Sequence, residues 1–312
     1  MNFWEKLPAQ FLCLAPMADV TDQAFRRMFA KYGKPDVTWT EFVSADGLCS
    51  PGREHLLPDL GYTEAERPIV AQLFTSHPEK MYEAAKLARE LGFDGVDINM
   101  GCPDKSIEKQ GAGAAMIKDP ETAYAVIAAA KKGFQGPVSV KTRVGYNKVD
   151  MSWIEGLLKQ DLAALTIHAR TRKEMSDVPA RWEHVKDAVE LRNKIAPHTK
   201  IIGNGDVTSR EDAFQKIKES GADGAMIGRG IFGNPWFFSG KVPTIEEKLH
   251  ALVEHTKLFH ELLGDKKNFA IMKKHYKAYV HGWDGAKELR VQLMETNSVE
   301  EVEKIVLNYL SK

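Results

Sequence analysis

DINMGCPDKSIEKQGAGAAM, residues 97–116, decides the fold. An apolar, strand-like run ends in Asn99, Gly101, Cys102 and Pro103, and a glycine-rich segment follows. A strand apolar on both faces is buried on both faces, as in a parallel sheet covered by helices. Outward from this stretch the same grammar recurs. Towards the N-terminus lie FLCLAPMA (11–18), VTWTEFVSA (37–45) and PIVAQLF (68–74), with GVDINMG (95–101) opening the quoted stretch. Beyond it come PVSVKTRVG (137–145), AALTIHAR (163–170), KIIGNGD (200–206) and GAMIGRG (224–230). Helical periodicity fills the intervals, as in MYEAAKLARELG (81–92) and EDAFQKIKESG (211–221), each stopped by glycine. Strands alternating with helices give a parallel sheet with right-handed crossovers. Eight such units predict an α/β fold of the closed (β/α)8 type, a TIM barrel. An open dinucleotide-binding sheet fits less well, because no GxGxxG follows the first strand.

After about residue 243 the pattern becomes helix only: IEEKLHALVEHTKLFHELLG, NFAIMKKHYKAYVHG, GAKELRVQLMET and SVEEVEKIVLNYLSK. The expected domains are a catalytic barrel over 1–242 and a small helical bundle over 243–312, docked without a low-complexity linker.

Composition narrows the class. Of 312 residues 43% are hydrophobic and 28% charged, with 43 basic against 43 acidic side chains. That balance makes no global case for nucleic acid, although a local basic patch remains open. No apolar run approaches the ~18 residues of a membrane span, and MNFWEKLPAQF has no signal-like apolar core. A cytoplasmic, monomeric protein is expected, with no membrane association. Cys13, Cys49 and Cys102 cannot all pair and none sits in a CxxC, which excludes a disulfide framework and a four-cysteine zinc site.

In such a barrel the carboxyl ends of the strands meet at one mouth. They carry Ala15-Pro16-Met17-Ala18, Gln72, Asn99 with Cys102, and Lys141 with Arg143. The later strands add His168 with Arg170, Asn204-Gly205-Asp206 and Gly228-Arg229-Gly230. GNGD and GRG suit a phosphate, each expected to open a helix whose N-terminus favours an anion. Tight βα turns are the plainer account of those glycines. Lys141 can neutralise an anion developing on a bound ring, and Gln72 can satisfy an amide edge, needs that match a flavin. Cys102 reads as a buried apolar cysteine, a thiolate nucleophile or a proton donor. Its loop setting and the absence of a neighbouring histidine favour a thiol that delivers a proton beside the flavin. Cys13 and Cys49 read as packing residues.

The chain resembles the tRNA-dihydrouridine synthases. The residues that carry the likeness are LAPMADVTD (14–22), VAQLF (70–74), the quoted cysteine motif, VKTRVG (140–145) and TIHARTR (166–172). GNGDV (203–207), MIGRGIFGNPW (226–236) and MKKHYKAYVHGWDGAKELR (272–290) complete it. The resemblance implies an FMN enzyme that NADPH reduces. Hydride then passes to C6 of a uracil ring and Cys102 protonates C5. It places Pro16, Met17, Gln72, Lys141 and His168 on FMN, together with Asn204, Gly205, Asp206, Gly228 and Arg229. Asn99, Lys141 and Arg143 would address the uracil, flipped out of the RNA stack, and Arg170 and Arg172 the RNA. KEMSDVPARW (173–182) departs from the Gln and Tyr before a Gly found in many relatives, on what is expected to be the substrate side. The modified position therefore stays open.

For RNA, Lys266, Lys267, Lys273, Lys274, His275 and Lys277 suggest a phosphate-tracking stripe on the tail. Three alternatives stand beside the leading one. They are an FMN barrel acting on a free pyrimidine, as dihydroorotate dehydrogenases do, a flavin-free RNA-binding barrel, and a lyase with a Lys141 Schiff base.

Overall fold

A computed structural model describes residues 2–311; Met1 and Lys312, the outer ends of the two expected domains, lie outside the described residues. Eight parallel strands form: β1 (Phe11–Leu14), β2 (Thr38–Ser44), β3 (Ile69–Phe74), β4 (Gly95–Met100), β5 (Val138–Arg143), β6 (Ala164–His168), β7 (Lys200–Asn204) and β8 (Gly224–Ile227). Their order, β1-β8-β7-β6-β5-β4-β3-β2, is that of a wound barrel. It closes through a parallel bridge between Cys13 and Val37, where the Leu14 amide donates to the Val37 carbonyl at 3.1 Å. Most strands stop short of the carboxyl end of their sequence runs, so that Pro16, Cys102, Arg170, Asp206 and Arg229 fall on the loops and turns beyond them, whereas β3 keeps its end at Phe74.

The two faces of each strand enter different cores, as a two-residue period requires. Ile69, Ala71, Ile98, Val140, Leu165 and Ile201 face the helices. Phe11, Cys13, Trp39, Val70, Ala164, Ile202 and Met226 join Trp4 in a second, inner cluster. Followed towards the carboxyl end, the inner face turns polar: Val70 is succeeded by Gln72, Ala164 by Thr166 and Ile202 by Asn204. The barrel is thus sealed by aromatics at one end and lined for chemistry at the other.

The tail consists of helices Ile245–Leu263, Ile271–Tyr279, Ala286–Glu295 and Val299–Leu310. The first starts at a capping box between Thr244 and Glu247. The tail's core runs on into the barrel: Leu252, Phe259, Tyr276, Leu289 and Val302 pack in one cluster with Ala24 and Met28 of the barrel's first long helix, Gln23–Tyr32. A charge pins it as well. Lys267 Nζ lies 2.7 Å from Glu41 Oε2 and 3.1 Å from Asp59 Oδ1, while Glu41, only 5% exposed, also accepts from the Asp19 amide at 2.5 Å. Lys267→Met should cost about 2–4 kcal/mol at pH 7, because it strands the Glu41 carboxylate. Burial raises the pKa of that carboxyl, so the deficit should shrink as pH falls and Glu41 takes a proton. Urea unfolding at pH 7 and pH 5 measures both.

Candidate active site

A cavity of about 610 Å³ opens at the carboxyl ends of the strands, within the size range of cofactor sites. Pro16, Met17, Lys141, His168, Arg170, Asn204, Gly205, Asp206, Gly228 and Arg229 all line it. A larger hollow of about 1010 Å³ lies on the flank, between Arg53, Tyr82, Lys86 and Lys132. No strand end reaches it, and it lies away from the chemistry.

The cavity is cationic. Among the described residues Lys141 has no carboxylate at ion-pair distance, and burial, then the Arg143 charge, pull its pKa down to about 8. Desolvation holds His168 well below the ordinary histidine range, helped by Lys141, Arg143, Arg170 and Arg229. His168 Nε2 stands 3.1 Å from Arg170 Nη1. A guanidinium only donates, so Nε2 accepts and the neutral ring carries its proton on Nδ1. Asp206 faces this charge without cancelling it: Oδ2 binds Arg170 Nη2 at 2.5 Å and the Ala180 amide at 2.8 Å, and Oδ1 meets Arg229 Nη2 at 3.3 Å. It acts as a brace that aims Arg229. These features fit a flavin: an unmatched lysine and an exposed arginine for its anionic edges, and a β8 end with room for a ligand. A Cβ built on Gly228 would meet only Met17 Sδ at 3.6 Å and Ala15 Cβ at 3.8 Å.

Some expectations for the phosphate loops change. GRG opens only a three-residue turn, Arg229–Ile231, not a helix. The helix after GNGD starts at Arg210, is capped by Ser209, and has Glu211 and Asp212 in its first turn. Side-chain cations and loop backbone, not helix ends, give this cavity its anion preference. Gly203 serves packing: a Cβ there would lie 2.1 Å from the Trp182 ring. Trp182 belongs to the departing segment 173–182, which borders this cavity. Ser176 lines it, the Val178 carbonyl accepts from Arg170 Nε at 2.5 Å, and Trp182 Nε1 donates to the Gly205 carbonyl at 2.9 Å. The segment braces the anion side.

Cys102 sits beyond the cavity lining, half-buried. Burial raises its pKa above that of a free thiol, so it is protonated at neutral pH. Its loop is held from three sides. The Gly101 and Cys102 amides donate to Asn99 Oδ1 at 3.1 and 2.9 Å, Arg143 Nε donates to the Gly101 carbonyl at 2.8 Å, and the Ala114 amide donates to the Cys102 carbonyl at 2.9 Å. Gly113 has φ +61, and a Cβ there would lie 2.7 Å from the Cys102 carbonyl and 2.9 Å from Ile107 Cγ2. Gly113→Ala should cost about 1–3 kcal/mol and displace Cys102. A urea midpoint and the alkylation rate of that cysteine check the two effects separately.

Several expected contacts are otherwise engaged. Arg143 Nη1 binds the Thr171 and Met175 carbonyls at 3.0 and 2.9 Å, which leaves Nη2 for a ligand. Arg170, only 3% exposed, is consumed by Val178, His168 and Asp206. Arg172 is clamped to Glu108, with Nε 2.9 Å from Oε1, and lies over the Tyr146 ring. On the tail, Lys267 is spent on Glu41, and His275 is fully buried against His255 and Phe25. The phosphate stripe therefore loses two members: Lys267 precedes the helix and is tied to the barrel, and the helical period turns His275 with Met272, Tyr276 and Tyr279 onto the buried face. Asp97, buried beneath the mouth on Gln72 and Ser139, is the polar residue that motif reading passed over, although a carboxylate on the inner face of a buried strand was its signal. Among the described residues no group of three or more His, Cys, Asp and Glu could hold a metal, and no helix is long and apolar enough to cross a membrane.

Fold and mouth together define a (β/α)8 barrel with a cationic cavity at its mouth and a loop-borne thiol beside it. The family model described as dihydrouridine synthase matches residues 13–312. The probable tRNA-dihydrouridine synthase of Staphylococcus aureus (strain MRSA252) is 42% identical, covering 98% of this chain and 94% of its own. The probable tRNA-dihydrouridine synthase 2 of Bacillus subtilis (strain 168) is also 42% identical, covering 100% and 97%. The chain belongs to the dihydrouridine synthase family. Two solved structures share the barrel at low identity. Histamine dehydrogenase from Rhizobium sp. 4-9 has a TM-score of 0.51 at 10% identity, over 80% of this chain and 49% of that one. The 6-hydroxypseudooxynicotine amine oxidase from Pseudomonas geniculata N1 has 0.52 at 12%, over 72% and 46%. The chain thus spans about half the length of each of these two, and the likeness bears on fold alone.

Proposed function

We propose that the protein is a flavin-dependent tRNA-dihydrouridine synthase that uses FMN and NADPH to saturate the C5–C6 bond of a uridine in tRNA. The observation that carries this is a protonated thiol, Cys102, on a loop anchored by Asn99 and Arg143 at the mouth that also presents the unmatched Lys141 ammonium. Family membership supplies the substrate class.

A bound flavin supplies the hydride; the protein's residues do the rest. Pro16, Met17, Gly205 and Gly228 give close backbone approach, and Asn204 is held by its Nδ2 bond to the Met226 carbonyl at 2.7 Å. Lys141 and Arg229 meet negative charge on the cofactor, and His168 offers a neutral Nδ1–H. Gln72, expected on the cofactor, is fully buried outside the cavity lining and bonded to Asp97 and Asn99, so it supports the mouth from below. Towards the uracil, Arg143 offers Nη2 and Asn99 one amide hydrogen, while Cys102 Sγ–H delivers the proton to C5. Arg170 and Arg172 serve by bracing the mouth.

The neighbouring possibility is reduction of a free pyrimidine. A tail sharing its core with the barrel is a surface that a small base does not need. Pre-reduced enzyme should be reoxidised by unmodified tRNA and not by uracil or orotate; the reverse result overturns the proposal. A purified protein that is colourless and takes up no FMN would instead revive a flavin-free RNA-binding barrel.

A further inference from the structure

Below the thiol runs a buried chain of hydrogen bonds whose polarity is set at both ends. Ser139 Oγ donates to Asp97 Oδ1 at 2.5 Å and Gln72 Nε2 donates to Asp97 Oδ2 at 2.6 Å. Asn99 Nδ2 donates to Gln72 Oε1 at 3.2 Å, and Asn99 Oδ1 receives the Gly101 and Cys102 amides. The three strands that carry these residues are adjacent, with Gln72 beside Asp97 and Asp97 beside Ser139 in register. Asp97 and Gln72 are fully buried and Asn99 is 6% exposed, so water does not offer substitute partners.

An ionised carboxylate only accepts, so Gln72 must turn its NH2 to Asp97 and its oxygen to Asn99. Asn99 must then turn its NH2 to Gln72 and its oxygen to the loop. Backbone amides only donate, so the loop demands the same orientation of Asn99 from the other end. One end of the chain fixes the other through two side-chain amides that could otherwise flip.

We propose that Asp97 is a positioning residue: through Gln72 and Asn99 it sets the conformation of the loop that carries Cys102. This rests on the reading of Cys102 as the proton donor. Asp97 touches neither cofactor nor substrate in this scheme. Its contribution is the acceptor-only end that makes one arrangement of the chain the stable one. Burial raises the pKa of the carboxyl to about 6, while the hydrogen bonds from Ser139 and Gln72 and then the charge of Lys141 favour the ionised form.

Asp97→Asn tests this, since an isosteric amide no longer dictates which way Gln72 faces. Alkylation of Cys102 by iodoacetamide in the FMN-free protein, read on the Cys102 peptide to separate it from Cys49, should accelerate about 10-fold. The tRNA-dependent reoxidation of pre-reduced enzyme should slow about 10- to 100-fold, the scale of a small misplacement of a reacting group. The double variant Asp97→Asn with Gln72→Glu moves the acceptor-only end by one residue. The carboxylate introduced at position 72 then accepts from the new amide at position 97 and from Asn99 Nδ2, which restores the orientation of Asn99. The alkylation rate of the double variant should return to within about 3-fold of wild type.

An unchanged alkylation rate in Asp97→Asn, or no recovery in the double variant, overturns the proposal. If Asp97→Asn alone fails to fold, Gln72→Glu alone is the comparison. Two apposed carboxylates should loosen the loop, and adding Asp97→Asn should tighten it again; no difference between the two is equally fatal. A Cys102→Ala enzyme that still forms dihydrouridine would sink the proton-donor reading without touching the alkylation result.

Discussion

Cys102→Ala is expected to lower dihydrouridine formation on tRNA by about 10²- to 10⁴-fold, the usual contribution of a positioned general acid. Reduction of the bound flavin by NADPH should stay within about twofold of wild type, because Cys102 lies outside the cofactor cavity lining and hydride delivery to the flavin involves no proton donor to C5. The substitution removes only Sγ; the loop is held by backbone amides and carbonyls through Asn99, Arg143 and Ala114. Flavin content and urea midpoint should therefore survive. Rapid-mixing measurement of the two half-reactions separates them, and a parallel loss of both would make Cys102 structural. The pH profile carries a sign. Burial raises the thiol's pKa, and the protonated form is the competent one. Proton delivery should stay level through neutral pH and fall only on the alkaline side, above the range of an ordinary cysteine.

Lys141→Met should weaken FMN binding by about 10- to 100-fold, the loss of one charged hydrogen bond, and slow flavin reduction along with it. The same substitution should stabilise the FMN-free protein. In the wild type the ammonium is held in the folded state with its pKa lowered to about 8, against about 10.4 in an unfolded chain. Between those values the unfolded state binds more protons, so folding stability from this group rises with pH from about 8 to 10. Below that window the charged lysine is a constant penalty, which methionine removes. Urea titrations of the FMN-free protein at pH 7 and pH 10 should show the variant ahead at the lower pH and the gap closing at the higher. Saturating FMN should abolish the wild type's pH rise, because an anionic ligand returns the proton to Lys141. Unchanged FMN affinity would remove Lys141 from the cofactor site.

Much of the site was legible because a barrel converts sequence position into spatial position: whatever follows each strand arrives at the same mouth. Lys141, His168, Asn204, Gly228 and Arg229 were found by that rule and line one cavity. What stayed hidden was the division of labour among polar residues. Arg170 and Lys267 look like ligands in the sequence, yet their partners Asp206 and Glu41 stand 36 and 226 residues away. His275 stands among lysines in the sequence and is buried in fact, because the helix turns it with Met272, Tyr276 and Tyr279 onto the face that packs against the barrel's first long helix. The departing segment 173–182 was assigned to the substrate side, and its anchoring to Asp206 and Gly205 depends on β7, which lies beyond it in the chain.

By itself the sequence determined eight strands, their parallel winding and the stretch that carries the thiol, since two-residue and helical periodicities and glycine stops are local properties. Only the tertiary structure decided which charges are free to meet a ligand and which are spent on one another. It also decided that the aspartate opening the strand-end motif, Asp97, is linked to its cysteine through Gln72 from a neighbouring strand and then Asn99. Hydrogen-bond polarity and burial are settled by neighbours in space, and those neighbours are distant in the chain.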